Sequence, residues 1–404
     1  MNKIKLCCSQ WLNEYYEMIY CVLFSISIFF MIMNNSIITV EASYAAAGFV
    51  GFICKIIKLI TFILFLLLIF LNMINGKYKV KIFLPIFILI AIASAVSRDT
   101  QLIYYGAIVF AISDSDFDKV IKCCIKVQFV SIMLFVVLAS TNIIWNAMFD
   151  FGTRNRYALG FTYPTFVPMM YTFVLLQILY ITRDAIRWAD ICTFFALSVF
   201  LFVLTNSKFI YVVQLLILAL MVVDKLYLLD KVKKRFCKLG DYFISIVPSL
   251  FLCISIIVSL AYNDRIAFWS KLNDLLTNRL MLMHKAIYKY GVSVFGKPVK
   301  WYGHYVGEGQ MTYNYVDNSY IQILITYGIL ITLLVIVGYT LIIVVSRKNR
   351  DYIMCQVILI IMLLSLIEPR MINLVFNPFV LLFGKMLSKQ QNLFTMNKGD
   401  KCER

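Results

Sequence analysis

Nine ionisable side chains sit between apolar runs, and their types suggest one chemistry. Six are cations: Arg154 and Arg156 in FGTRNRYALGFTYP, Lys208 in TNSK, Arg265, Arg279, and Arg370 in IEPR. Arginine presents a planar fork that binds phosphate oxygens in pairs, so several such cations converging on one cavity would suit a diphosphate. The other three, His304, Asp317 and Glu368, are candidates to accept a proton from an attacking hydroxyl. Plainer readings stand beside these. Asp317 precedes an apolar run, where the helix dipole stabilises a carboxylate and Asn318 or Ser319 caps the helix. Glu368, followed by Pro369, marks the end of a run and has Arg370 as a ready partner.

Arg279 is the most informative cation. At 100° per residue, Leu272, Leu275, Leu276, Leu280, Met283, Ile287 and Tyr290 share one face of a helix over 272–290, with Asn273, Asp274, Asn278, Lys285 and Lys289 opposite. Arg279 then projects near the middle of the apolar face, where a guanidinium is costly without an anionic partner. The competing account is a snorkelling arginine or a structural ion pair. This amphipathic helix sits in the 55-residue segment from Asn263 to Asp317, the longest break in hydrophobicity. It is expected to lie along a membrane interface or to roof a cavity.

A lipid-embedded helical framework must position these groups. Apolar residues make up 62% of the 404 positions and charged residues 15%, which excludes an ordinary water-soluble globule. Apolar runs near 18–33, 56–73, 82–97, 101–113, 121–140, 164–181, 188–205, 209–224, 242–262, 319–345, 352–367 and 376–387 predict an all-α polytopic membrane protein of about twelve spans. The chain divides into spans one to nine (1–262), the long loop (263–317), and spans ten to twelve with a tail (318–404). The fourth run is short, and Lys55 and Lys58 interrupt the second, so that 44–73 reads either as one span or as an interfacial helix followed by a span. ASYAAAG after the first run resembles a cleavage site, but about ten residues separate them, which favours an uncleaved anchor.

The net charge of +17 follows from membrane topology rather than nucleic-acid binding, because the basic residues sit in short segments between apolar runs. With both termini on one side, 24 basic residues fall on that side and 12 on the other, and Lys55 and Lys58 stay near the second span. The bias predicts cytoplasmic termini and an outward-facing long loop. None of the eleven cysteines falls in an outer loop, so no disulfide framework is expected. Two histidines and no CxxC or HExxH pattern give no metal site.

VDNSYIQILITYGIL resembles the segment after the large periplasmic loop in the O-antigen polymerase and ligase superfamily, where His or Asp, Asn, a small residue and Tyr lead into an apolar helix with a Tyr-Gly break. RNRYALGFTYPTF is similar to the family's Arg-bearing loop, and LNDLLTNRLMLMHKAIYKYGVSVFG to its loop helix with terminal Gly-hydrophobic-Phe-Gly. IEPRMINLVFNPFVLLFG resembles the ending of capsule and exopolysaccharide polymerases. Ligases usually have His where this chain has Asp317, which argues for a polymerase. Lys208 stands where relatives often have Arg.

The resemblance implies a metal-independent and cofactor-free glycosyltransferase of the bacterial cytoplasmic (inner) membrane. It would take a saccharide carried on undecaprenyl diphosphate at the outer face and transfer it to an acceptor sugar hydroxyl. Membrane lipid, a flippase and a chain-length regulator are the implied partners. Arg154, Arg156, Arg265 and Arg279 are then expected at the diphosphate or sugar, with Lys208, Glu368, Arg370 and Tyr320 as further substrate contacts. Asp317 and His304 are the candidate bases. Trp269, Trp301, Tyr302 and Tyr320 are candidates to stack on sugar rings, though interfacial anchoring explains them equally well. The rival classes are a lipid-linked oligosaccharide flippase, which would favour internal repeats and broken helices at the midplane, and a ligase.

Overall fold

A computed structural model describes residues 2–40, 47–113, 115–150, 155–226, 240–304 and 313–388. The apolar runs form α1 (Asn2–Met33), α2 (Ala47–Ile74), α3 (Val80–Ser97), α4 (Thr100–Ala111), α5 (Phe117–Ser140), α6 (Phe166–Thr182), α7 (Trp188–Thr205) and α8 (Lys208–Lys225). They continue as α9 (Gly240–Ala261), α12 (Ser319–Lys348) and α13 (Tyr352–Leu364), with α10 (Ala267–Leu275) and α11 (Arg279–Tyr290) in the long loop and a final short α14 (Leu382–Leu387). Side-chain caps start four of them. Asp99, Asp116, Asn318 and Asp351 accept from the backbone N–H of Gln101, Asp118, Ile321 and Met354, which settles Asn318 as the cap of α12. The only strands among the described residues are the antiparallel pair Met148–Asp150 and Asn155–Tyr157.

Seven helices, α1, α2, α3, α5, α7, α9 and α12, are long and apolar enough to cross a membrane, as expected of an all-helical membrane protein. α2 turns Phe49, Phe52, Leu59, Ile63, Leu67 and Phe70 outward, a ridge that suits hydrocarbon and not water. It is one continuous helix through Lys55 and Lys58. The centre of the bundle is α6, buried along most of its length. Amides join its neighbours to it: Gln177 Nε2 donates to Gln128 Oε1 at 2.7 Å, and Gln214 Nε2 donates to the Pro168 carbonyl at 3.0 Å. Such contacts fix helix pairing where burial of apolar surface gives no discrimination.

Side-chain contacts sort the junctions into two ends. Lys119–Glu17 at 2.7 Å, Arg183–Asp351 at 3.1 Å and the Lys385 donation to the Ser115 carbonyl at 2.7 Å mark a basic end. The opposite end gathers Asn35, Gly160, Asp99, Tyr327, Asp317 and Glu368, with the Ile37 N–H donating to the Gly160 carbonyl at 3.0 Å and the Tyr327 hydroxyl to Asp99 at 2.6 Å.

The run at 376–387 does not form a full-length helix. From Arg370 to Ser388 the chain passes from one end to the other in turns, a 3-10 segment Pro378–Leu381 and α14. Gln128 and Asn377 satisfy its exposed backbone: Gln128 Nε2 donates to the Val375 carbonyl at 2.7 Å and Asn377 Nδ2 to the Met371 carbonyl at 2.6 Å. Irregular backbone of this kind survives at membrane depth only inside protein, and Leu374 to Leu382 are buried.

The long loop is anchored by a main-chain graft into α12. Gly328 interrupts that helix at φ 86°, and the segment after α11 fills the break: Lys297 N–H donates to the Thr326 carbonyl at 3.1 Å and Ile329 N–H to the Ser293 carbonyl at 3.0 Å. Gly296 faces Gly328 at φ 87°, and a Cβ on Gly296 would lie 2.1 Å from the Thr326 carbonyl oxygen and one on Gly328 2.3 Å from the Gly296 nitrogen. The Gly-hydrophobic-Phe-Gly and Tyr-Gly patterns are thus two halves of one contact.

Candidate functional site

The amphipathic segment 272–290 is two helices rather than one. Thr277 and Asn278 take left-handed conformations, φ 54° and 65°, and separate α10 from α11. Asn273, placed on the polar face by periodicity, is buried and holds the corner: its Nδ2 donates to Asn278 Oδ1 at 2.8 Å, and its Oδ1 accepts from Met281 N–H at 3.0 Å. Leu280 and Met283 face inward as expected, and Ala286 is buried beside them, whereas Leu275 is 77% exposed.

The break moves Arg279 from the middle of an apolar face to the first residue of α11. A cation at a helix N-terminus opposes the dipole, so compensating anions are required. Two are present. Arg279 Nε donates to Asp317 Oδ2 at 3.3 Å, and its Nη2 stands 3.9 Å from Glu368 Oε1. Glu368 is held there by the opposite route: Ser319 Oγ donates to the Glu368 carbonyl at 2.7 Å, tying the end of α13 to the start of α12.

This ion cluster lines a cavity of about 630 Å³ beneath α10 and α11. Arg156 enters from the hairpin. It is 7% exposed, donates from Nε to the Thr205 carbonyl at 2.7 Å and from Nη2 to Ser207 Oγ at 2.9 Å, and lies over the Tyr163 ring. Lys208, His304 and Arg370 complete the charged wall. His304 is exposed and stacks on Tyr313 with ring centroids 4.5 Å apart. Burial pushes the Glu368 carboxyl up to about 7, helped by the Asp317 charge and opposed by Arg279 and Arg370. Burial raises Asp317 as well, again against Arg279. The pair therefore titrates as a coupled unit.

Seven of the ten residues selected from the sequence meet here: Arg156, Lys208, Arg279, His304, Asp317, Glu368 and Arg370. Two do not. Arg265 is exposed outside the cavity wall, and Tyr320 is buried, its hydroxyl donating to the Met362 carbonyl at 3.0 Å, so packing and not sugar stacking explains it. Arg154 lies outside the described residues. Glu368 pairs with Arg279 rather than marking only a span end. Of the aromatic candidates, Trp301 donates from Nε1 to Thr326 Oγ1 at 3.1 Å, Trp269 packs on Tyr262, and Tyr302 is held through its backbone N–H by Asn314.

A second cavity of about 430 Å³ adjoins the first, sharing Tyr163, Thr165, Tyr315 and Arg370 with it. Its lining mixes hydroxyl and amide groups with apolar side chains such as Phe166 and Ile323: Gln101 Nε2 donates to the Tyr105 hydroxyl at 2.5 Å, and the Tyr105 hydroxyl donates to Asn373 Oδ1 at 3.0 Å. Asp99 and Trp301 also line it. Asp99, Gln101 and Tyr105 gave no sequence signal beyond a short polar turn between two apolar runs. Comparison with models of protein families, with curated proteins and with solved structures gave no match to this chain.

Proposed function

We propose that the chain is a polysaccharide polymerase of a bacterial cytoplasmic membrane, joining isoprenoid-diphosphate-linked saccharides on the outer face. The observation that carries the reading is the convergence of Arg156, Lys208, Arg279 and Arg370 with Asp317 and Glu368 on one cavity, beside a second cavity with polar groups in its wall. On this reading the basic end is cytoplasmic, following the positive-inside bias, and the seven long helices, the helices α4, α6, α8 and α13, and the irregular passage from 370 to 388 would account for twelve crossings. A flippase or transporter would carry its phosphate-binding cations near mid-membrane, whereas these lie at one end of the bundle.

In the reaction, the donor diphosphate lies against Arg279, with Arg156, Arg370 and Lys208 around it. The bond between the anomeric carbon and the diphosphate oxygen breaks, and its electron pair goes to the diphosphate, whose growing charge the guanidinium groups stabilise. The acceptor hydroxyl oxygen forms the new glycosidic bond. Its proton passes to Glu368, which is more deeply buried than Asp317 or the exposed His304, and a carboxyl near 7 has a proton affinity matched to the working pH. Asp317 holds Arg279 and raises Glu368. Undecaprenyl diphosphate leaves sideways into the membrane.

The test is transfer by the purified protein in lipid vesicles, using a defined lipid-linked repeat unit. Wild type is expected to give a ladder of products, and folded Arg279→Ala to lose it by about 100-fold or more, the scale for removing one transition-state charge donor. Transport of the lipid-linked saccharide across the bilayer without any ladder would overturn the reading in favour of a flippase.

A further inference from the structure

Lys55 and Lys58 interrupt an otherwise apolar helix, and the site above does not use them. α2 has 28 residues, about 42 Å at 1.5 Å each, and exceeds a hydrocarbon core of about 30 Å. Counted from its basic end at Ile74, Lys58 and Lys55 stand about 24 and 28 Å along it, at the depth of the opposite interface. Lys58 is half-buried with its ammonium 5.3 Å from the centre of the Tyr104 ring, and Lys55 is exposed. Among the described residues neither has a carboxylate at ion-pair distance. The carboxylate whose charge reaches Lys58 is Asp99, already engaged by the Tyr327 hydroxyl and the Gln101 N–H.

Both lysines line a cavity of about 620 Å³ between α1, α2 and α4. Its wall combines apolar Phe30, Leu59 and Phe62 with the amides Asn34, Asn35 and Gln101. The same three amides line the polar cavity, which in turn adjoins the Arg279 cavity and shares Tyr163, Thr165, Tyr315 and Arg370 with it. Three spaces therefore form a row across one end of the bundle, with cations at both extremities and hydroxyl and amide groups between.

Joining two isoprenoid-diphosphate-linked saccharides brings two multiply charged diphosphates to one protein, and their repulsion requires separate cationic sites with the saccharides meeting between them. The geometry points to the Lys55–Lys58 cavity as the site of the acceptor substrate. Its diphosphate lies against the two ammonium groups, its isoprenoid chain leaves along the apolar wall into lipid, and its saccharide crosses the polar cavity toward Glu368. No bond to this diphosphate breaks. This inference rests on the polymerase reading and adds the second binding site to it.

The experiment compares two acceptors with one lipid-linked donor: the diphosphate-lipid-linked repeat unit and the same saccharide free of lipid and phosphate. In wild type the lipid-linked acceptor should be strongly preferred. Lys58→Met should raise its KM about tenfold and reduce the preference by the same factor, with little change in kcat, and Lys58→Arg should restore both. Arg279→Ala should instead depress kcat with either acceptor. An unchanged preference in Lys58→Met and in Lys55→Met/Lys58→Met would overturn the inference. So would a Lys58 effect that tracks the anionic phospholipid content of the vesicles and not the acceptor's diphosphate, which would assign the lysines to bulk lipid. Absence of transfer by wild type to either acceptor would instead overturn the polymerase reading on which the site rests.

Discussion

Arg279→Met removes the cation that stands nearest Glu368 among the described residues while keeping an unbranched side chain at the start of α11. The guanidinium Nη2 stands 3.9 Å from Glu368 Oε1, and at an effective dielectric of about 20 one unit charge at that distance is worth about 4 kcal/mol. At about 1.4 kcal/mol per unit this sets a ceiling of about three pKa units. The Arg279 side chain is 22% exposed, so water screens part of the interaction, and a rise of roughly one to two units is expected. The sign is upward, because the carboxylate loses a cation and its neutral form is favoured. Glu368 begins at about 7, raised from the ordinary range by burial and by Asp317. Its contribution to folding stability is therefore greatest below the unfolded carboxylate pKa and falls as pH rises through about 7, and in Arg279→Met the fall extends to higher pH. Infrared difference spectroscopy of the protonated carboxyl stretch, assigned by its loss in Glu368→Gln, follows the titration directly and needs no substrate. A parent Glu368 that titrates in the ordinary carboxylate range, or one whose midpoint does not move in folded Arg279→Met, would refute the electrostatic account of the cluster.

Asp317→Asn removes the like charge that raises Glu368, so the acidic limb of the transfer rate should move about one unit to lower pH in a pH–rate profile. Arg156→Met leaves the Thr205 carbonyl and Ser207 without their buried donor, and should cost about 2–3 kcal/mol, read as a lower unfolding midpoint in detergent. Gly328→Ala should undock the loop, because its Cβ would lie 2.3 Å from the Gly296 nitrogen, and limited proteolysis should then cut the loop faster, whereas Gly48→Ala, with open space around it, should behave as wild type. Arg265→Ala, outside the cavity wall, should keep the transfer rate within about twofold of wild type.

Much of the site was legible because a membrane protein makes polar residues conspicuous. Arginines on the sparsely charged side stand out against the positive-inside bias, and most of those selected do converge. Tyr320 departs from the expectation, because position next to Asn318 and Ser319 says nothing about which way a ring points; in the fold it faces α13. The amphipathic segment misled in a different way. Periodicity assumes one axis, but Thr277 and Asn278 turn the chain through left-handed conformations and give α10 and α11 separate faces. That turn is what carries Arg279 to the two carboxylates.

The sequence by itself determined the mainly helical, membrane-spanning character, the position of the long loop in the chain and the list of charged groups worth testing, because hydrophobic run length and charge distribution are local quantities read without a partner. Tertiary structure alone decided the rest. It paired Arg279 with Asp317 and Glu368 across 38 and 89 positions, folded the last apolar run into buried turns, and joined Gly296 to Gly328. It also aligned three cavities through residues such as Asp99, Gln101 and Tyr105 that look ordinary in the chain. Such contacts depend on how helices pack against one another, and side-chain amides, glycines and ion pairs set that packing only once the helices meet.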